Sequence, residues 1–128
     1  MTLDDVAAEP FVSLTTFRRD GTPVPTPVWI ARDGDTLVVT TPVNTGKVKR
    51  LRRDSRVELR PCNRRGAVPA GAMSASGAAE IVAPSARHLD ALRRKYGLQY
   101  RIGTVVERLV RGRRERAILR ITLDDLAP

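Results

Sequence analysis

Three prolines two residues apart, Pro23, Pro25 and Pro27 in "GTPVPTPVWIA", restrict this chain more than any other feature. In an extended strand, residues i, i+2 and i+4 turn their backbone groups to the same edge, and proline has no N–H to offer there. That edge cannot be fully paired in a ladder. Proline also drives each preceding residue extended, which stiffens the run. Two uses suit such a strand: an edge guarded against aggregation, or a stiff backbone ledge, continuing into Val28-Trp29-Ile30, left free for a flat ligand or a partner chain.

The flanking residues supply the rest of a sheet. Phe11–Phe17, "FVSLTTF", is rich in β-branched and aromatic residues, and the turn signal Asp20-Gly21 joins it to the proline run, Pro23–Ala31. A second turn signal, Asp33-Gly34, leads into "TLVVTT", Thr36–Thr41. Arg56–Cys62 alternates as a strand should, Met73–Ala83 reads as a further strand weakened by small residues, and Arg116–Leu123 closes the pattern. Helices are predicted over "TLDDVAAE", where Thr2 caps and Asp4 and Asp5 occupy the first turn, and over "ARHLDALRRKYG" after Pro84-Ser85, with Gly97 as its stop. "YRIGTVVERLVRG" fits no single element. About six strands with helices between them predict a small β-barrel or α+β fold. The tight turns joining the first three strands argue against a parallel βαβ sheet. At 128 residues the chain is expected to form a single domain, residues 1–128, and a dimer is an option because small domains bury a modest share of their surface.

The net charge of +9 comes mainly from arginine. Such a field attracts anions, whether nucleic acid, acidic membrane or anionic metabolite, and does not choose among them. The densest run is "TGKVKRLRRDSR", Thr45 to Arg56. It fits a helix starting near Thr45 with Val48 and Leu51 on its apolar side. Lys47, Lys49 and Arg50 then fall near the first turn, where the helix dipole disfavours cations. Free N–H groups beside clustered cations are what an anion site needs, so a socket for a small phosphate explains this placement better than a solvated face. Asp54 lies four residues after Arg50 and could offset part of the cost. Arg52, Arg53 and Arg56 lie beyond that turn and read as surface. Nucleic acid has some support in the arginines of "RLVRGRRER", but aromatic content of 4% leaves few stacking platforms, and no helix-turn-helix, finger or OB pattern is present.

The usual catalytic constellations are missing. His88 and Cys62 are the only histidine and cysteine, too few for a zinc site or an internal disulfide, and His88 sits in a helical context. Cys62 reads as a buried, inert thiol, unless Arg60, Arg64 and Arg65 approach it and lower its pKa. An enzyme built this way would take its chemistry from a bound cofactor. The N-terminal "MTLDDVAAEP" lacks an apolar signal core and no run is long enough to span a bilayer, so a soluble cytoplasmic protein is expected.

In order along the chain, "GTPVPTPVWIARDGDTLVVTT" followed by "TGKVKRLRRDSRVELRPCNRRG" resembles the flavin and deazaflavin oxidoreductases of the pyridoxamine-5′-phosphate-oxidase-like superfamily, and most of all the branch that uses the deazaflavin coenzyme F-420. The resemblance covers Phe11 to Gly66 and extends more loosely through "KYGLQYR" and "RAILRITL". It implies a split β-barrel forming a homodimer, with cofactor sites at the subunit interface and hydride transfer to a small-molecule acceptor. It implies that Pro27, Val28 and Trp29 lie near the tricyclic ring and that Thr40 and Thr41 lie beside the ring and its ribityl-type chain. Thr45, Lys47, Lys49 and Arg50 match its phosphate-binding segment, Lys47 foremost, while Cys62, Asn63 and Arg65 border the site. FMN in the same fold, or a non-catalytic cofactor-binding module, are the alternatives. Ser55 departs from the proline common among relatives, and "IGTVVERLVRG" diverges where a substrate pocket would be shaped.

Overall fold

The computed structural model describes residues 1–103 and 115–124. Its framework is one antiparallel sheet of seven strands: β1 (Val12–Phe17), β2 (Pro23–Val28), β3 (Ala31–Asp33), β4 (Thr36–Pro42), β5 (Arg56–Pro61), β6 (Ala75–Val82) and β7 (Arg116–Leu123). They lie in the order β2-β1-β5-β6-β7-β4-β3. Three helices attend the sheet: α1 (Leu3–Ala8), α2 (Gly46–Arg53) and α3 (Ala86–Tyr96).

The proline strand β2 stands at the sheet's border. Pro23, Pro25 and Pro27 face Phe17, Thr15 and Ser13 of β1. Lacking N–H groups, they occupy the pairs that exchange no ladder bonds, so the missing donors fall on the open edge. Where six strands were expected there are seven, because the run Pro23–Ala31 breaks after Val28. The Trp29 indole stacks on the Tyr96 ring, with centroids 4.5 Å apart, and the Ile30 N–H donates to the Tyr96 hydroxyl at 2.9 Å. Those contacts lead the chain off one border of the sheet. It re-enters at the other as β3, whose turn through Gly34 (φ 63°) joins it to β4.

The sheet curls so that its inner residues meet in one core. Val12, Leu14, Leu37, Leu59, Leu119 and Ile121 are all fully buried there, with Val6 of α1 and Val48 of α2 inserted among them. The small residues of β6 are a packing requirement. A Cβ at Gly77 would lie 2.3 Å from the Thr122 carbonyl oxygen, so only glycine lets β6 approach β7 this closely. On the outer face, α3 packs across β3 and β4 and forms a second cluster from Val38, Leu92, Tyr96 and Ile118. This is the split-barrel architecture, mainly β with peripheral helices. Among the described residues, no helix is long and apolar enough to cross a membrane.

The caps are local and legible. Thr2 Oγ1 accepts from the Asp5 N–H and the Asp5 carboxylate accepts from the Thr2 N–H, a complete capping box on α1. Ser85 caps α3, and Gly97 (φ 54°) follows its last residue.

Candidate functional site

The basic segment folds as its pattern predicts. α2 begins after Thr45, buries Val48 and Leu51, and packs against β1 and β6. Thr45 is the N-cap residue but makes no side-chain cap: its hydroxyl donates to the Pro42 carbonyl at 3.1 Å and lies 3.3 Å from the Thr41 hydroxyl. Thr41 is itself buried. The threonine pair therefore fixes the bend into α2 while leaving the first-turn N–H groups uncapped by the side chain. That first turn carries no acid.

Lys47 is half-buried at this helix start and makes no ion pair among the described residues. Burial lowers its pKa, and the neighbouring Arg50 and Arg116 lower it further. Arg50 does not bond Asp54 as its spacing suggested. Its Nε donates to Thr16 Oγ1 at 2.6 Å, and Asp54 pairs with Arg56 instead. The backbone leaves the helix at Asp54, which turns that carboxylate away from Arg50. Gly46 gives the guanidinium room: a Cβ there would meet Arg50 Nη1 at 2.7 Å. Lys49 is exposed and sits two residues from Lys47, so it projects from the opposite flank of α2. Arg52, Arg53 and Arg56 are exposed, as expected, with Arg56 lying over the Phe17 ring at 4.5 Å.

A cavity of about 420 Å³ lies beside α3, and Arg116 in its wall connects it to Lys47 of α2. Trp29, Thr40, Leu89, Tyr100 and Arg116 line it, with Pro84 and Gly103 completing the wall. The Arg116 Nε donates to Thr40 Oγ1 at 3.0 Å, so one guanidinium both borders the cavity and presses its charge on Lys47. The residue is the first of β7, paired with Pro42 at the end of β4. In the sequence it was one arginine of a basic run. Only the β4–β7 register brings it beside the threonines. Leu89 and Tyr100 were missed for the same reason: their place depends on how α3 and the helical stretch 98–103 settle on the sheet.

The remaining expected site residues stand elsewhere. Val28 points into the inner core. Pro27 is exposed, and its ring meets Gly66 at 3.4–3.5 Å from where a Cβ would sit. Asn63 is exposed and stabilises its own loop, its Oδ1 accepting from the N–H groups of Arg65 and Ala67, both at 2.9 Å. Cys62 is buried, and burial with the nearby Glu9 pushes its thiol pKa up, against any activation by Arg60, Arg64 or Arg65. These residues gather where Val12 faces both Val28 and Pro61, whereas α2 bonds the Thr16–Phe17 end of β1 through Arg50 and Arg53. The two ends of β1 are separated by about 17 Å at the rise of an extended strand. One chain thus brings Trp29 and Thr40 to Arg116, sets Lys47 near both Arg116 and Arg50, joins Thr41 to Thr45, and holds Pro27, Cys62, Asn63 and Arg65 apart from α2. The arginines 108, 111, 113 and 114 lie outside the described residues.

The fold is a split barrel with a cation-bearing helix start at α2 and an aromatic-walled cavity beside α3. The chain belongs to the pyridoxamine 5′-phosphate oxidase family, whose sequence profile matches residues 3–127. Similar solved structures include the conserved hypothetical protein Rv2991 from Mycobacterium tuberculosis (23% identity, TM-score 0.66, covering 97% of this chain and 81% of that one). An F420 reductase is also similar (21% identity, TM-score 0.63, 94% and 91% covered). So is HutZ, a heme storage protein from Vibrio cholerae (13% identity, TM-score 0.65, 97% and 92% covered). At these identities the likeness is one of fold. No curated protein matches the sequence.

Proposed function

We propose that this protein is an oxidoreductase that binds coenzyme F-420, a deazaflavin, and moves a hydride between it and a small organic acceptor. The observation that carries the reading is Lys47: a half-buried ammonium at a helix start, near Arg50 and Arg116 and without an acid partner among the described residues. Lys47 and Arg50, two like charges close together on α2, favour an anion beside them, and a phosphate is the group such a helix start favours. In this reading Lys47, Arg50 and the first-turn N–H groups of α2 hold the phosphate. Thr41 fixes Thr45, and Thr45 fixes the bend. Arg116 and Thr40 hold the side of the cavity nearest that anion, and Trp29, braced by Tyr96, offers a flat apolar wall to the ring. The deazaflavin, when bound, supplies the hydride chemistry; the chain supplies orientation and shelter from water.

The F420 reductase among the similar structures and the net charge of +9, which suits an anionic cofactor tail, support the deazaflavin over FMN. The same reading makes the protein a cytoplasmic homodimer. The group at Pro27, Cys62, Asn63 and Arg65, remote from α2 in its own chain, would then border the site of the partner. Titration of the purified protein with F-420, and separately with FMN, followed by fluorescence, tests the proposal. Saturable F-420 binding with little FMN affinity is expected, followed by turnover with electron-poor acceptors. Preference for FMN would replace the cofactor, and binding of neither would overturn the reading.

A further inference from the structure

A second concavity, of about 810 Å³, is on the other flank of α3. Leu89 points to the cavity described above, while Arg87, Ala91 and Arg94, spaced to share a helix face, border this second space. Its depth comes from alanine: Ala7 of α1, Ala31 of β3 and Ala91 of α3 line it where larger side chains would close it. Around that floor stand four cations and two acids, Arg32, Arg87, Arg94 and Lys95 against Asp33 and Asp90, a surplus of 4 − 2 = +2.

The acids are already engaged. Asp33 accepts from Arg87 Nε at 2.7 Å, and Asp90 accepts from Arg93, which lies outside the groove lining. Arg32 is paired with Asp4 of α1 and donates its Nε to the Gly34 carbonyl at 2.7 Å, which holds the guanidinium in place. Arg94 has no acid partner among the described residues. The Lys95 ammonium is pinned by the Glu9 and Ile30 backbone carbonyls, both at 2.6 Å, and the Glu9 carboxylate is near but forms no ion pair with it. Arg32, Arg87 and Lys95 are held by these bonds while Arg94 stays exposed, so the alanine floor is bordered by a net positive rim, most of it fixed in place.

We propose that this groove is a second binding site, for a small metabolite bearing two or more carboxylate or phosphate groups. Arg94 and Lys95 supply the charge left unpaired, Arg32 and Arg87 hold the rim, and the alanine floor admits the ligand's carbon skeleton. The site is independent of the cofactor reading, because it shares no residue with the α2 helix start or the Trp29 cavity.

Calorimetric titration with citrate, and separately with inorganic pyrophosphate, tests it on the full chain, with Arg94→Glu, Ala91→Leu and Lys47→Ala as variants. The expected result is saturable binding of at least one probe that weakens about tenfold or more in Arg94→Glu, on the scale of 1.4 kcal/mol per decade, and survives Lys47→Ala. Stronger citrate binding would mark a carboxylate site, and stronger pyrophosphate binding a phosphate site. Ala91→Leu, which fills the floor without changing charge, should weaken the same probe. Loss in Lys47→Ala with retention in Arg94→Glu would place the anion at α2 and overturn the proposal. No binding, or binding indifferent to all three substitutions, would overturn it as well. Circular dichroism of each variant guards against loss of fold.

Discussion

Gly77 shows how much a single missing Cβ can decide. An added methyl would stand 2.3 Å from a backbone oxygen on β7, and neither strand can move aside without breaking pairs on its other flank. Gly77→Ala should therefore cost about 1–3 kcal/mol, the range for overpacked sites, read as a lower urea midpoint. Lys95 makes a prediction about pH. Burial pulls its pKa down to about 8 from an ordinary 10.5. Between those values the unfolded chain binds the proton that the folded chain has lost, so stability rises with pH across the window. The neutral amine still has two N–H groups for the two carbonyls. Tyr96 acts oppositely: its pKa is pushed up to about 12 from 10.0, chiefly by burial, so above pH 10 the unfolded chain ionises first and stability falls. Urea melts of wild type and Lys95→Gln from pH 8 to 10 should thus show the wild type gaining on the variant. A constant difference would refute the assignment.

At the scale of elements, α3 is fastened by its last turn. The Tyr96 hydroxyl accepts from the Ile30 N–H and donates toward the Pro10 carbonyl at 2.9 Å. Tyr96→Phe strands a buried N–H and should cost about 1–3 kcal/mol, measured by chemical denaturation, with Trp29 fluorescence altered as the stacked pair loosens. The element boundaries were largely legible because their signals are local: the Thr2 capping box, Gly97 after α3, and glycine at both tight turns. The break between β2 and β3 was not, since "PVPTPVWIA" reads as one extended run. What divides it is a tyrosine 66 residues away. The site divides along the same line. Lys47 and Arg50 were visible through helical spacing and the cost of cations in a first turn. Arg116 was invisible because only strand register brings it to Thr40.

For the whole molecule, the prolines at the border of β2 forbid extension of the sheet by another strand along that edge. In the homodimer proposed above, the two copies would meet through side-chain faces rather than along β2, and the outer surface of β1, β2 and β5, with a shallow hollow lined by Ser13, Thr15, Pro25 and Arg60, is the face we propose for it. Sedimentation velocity should give a dimer that persists in Arg94→Glu, since the second groove lies on α3; a monomer at micromolar concentration would remove the shared-site arrangement. The central claim is that the α2 helix start binds the cofactor's phosphate. Its most direct test is the F-420 affinity of Lys47→Ala against Arg52→Ala, which removes an exposed cation from the same helix. Loss of a charged hydrogen bond should weaken Lys47→Ala by roughly ten- to a hundredfold, with Arg52→Ala near wild type. Equal affinity in Lys47→Ala and wild type, with the fold intact, would contradict the account.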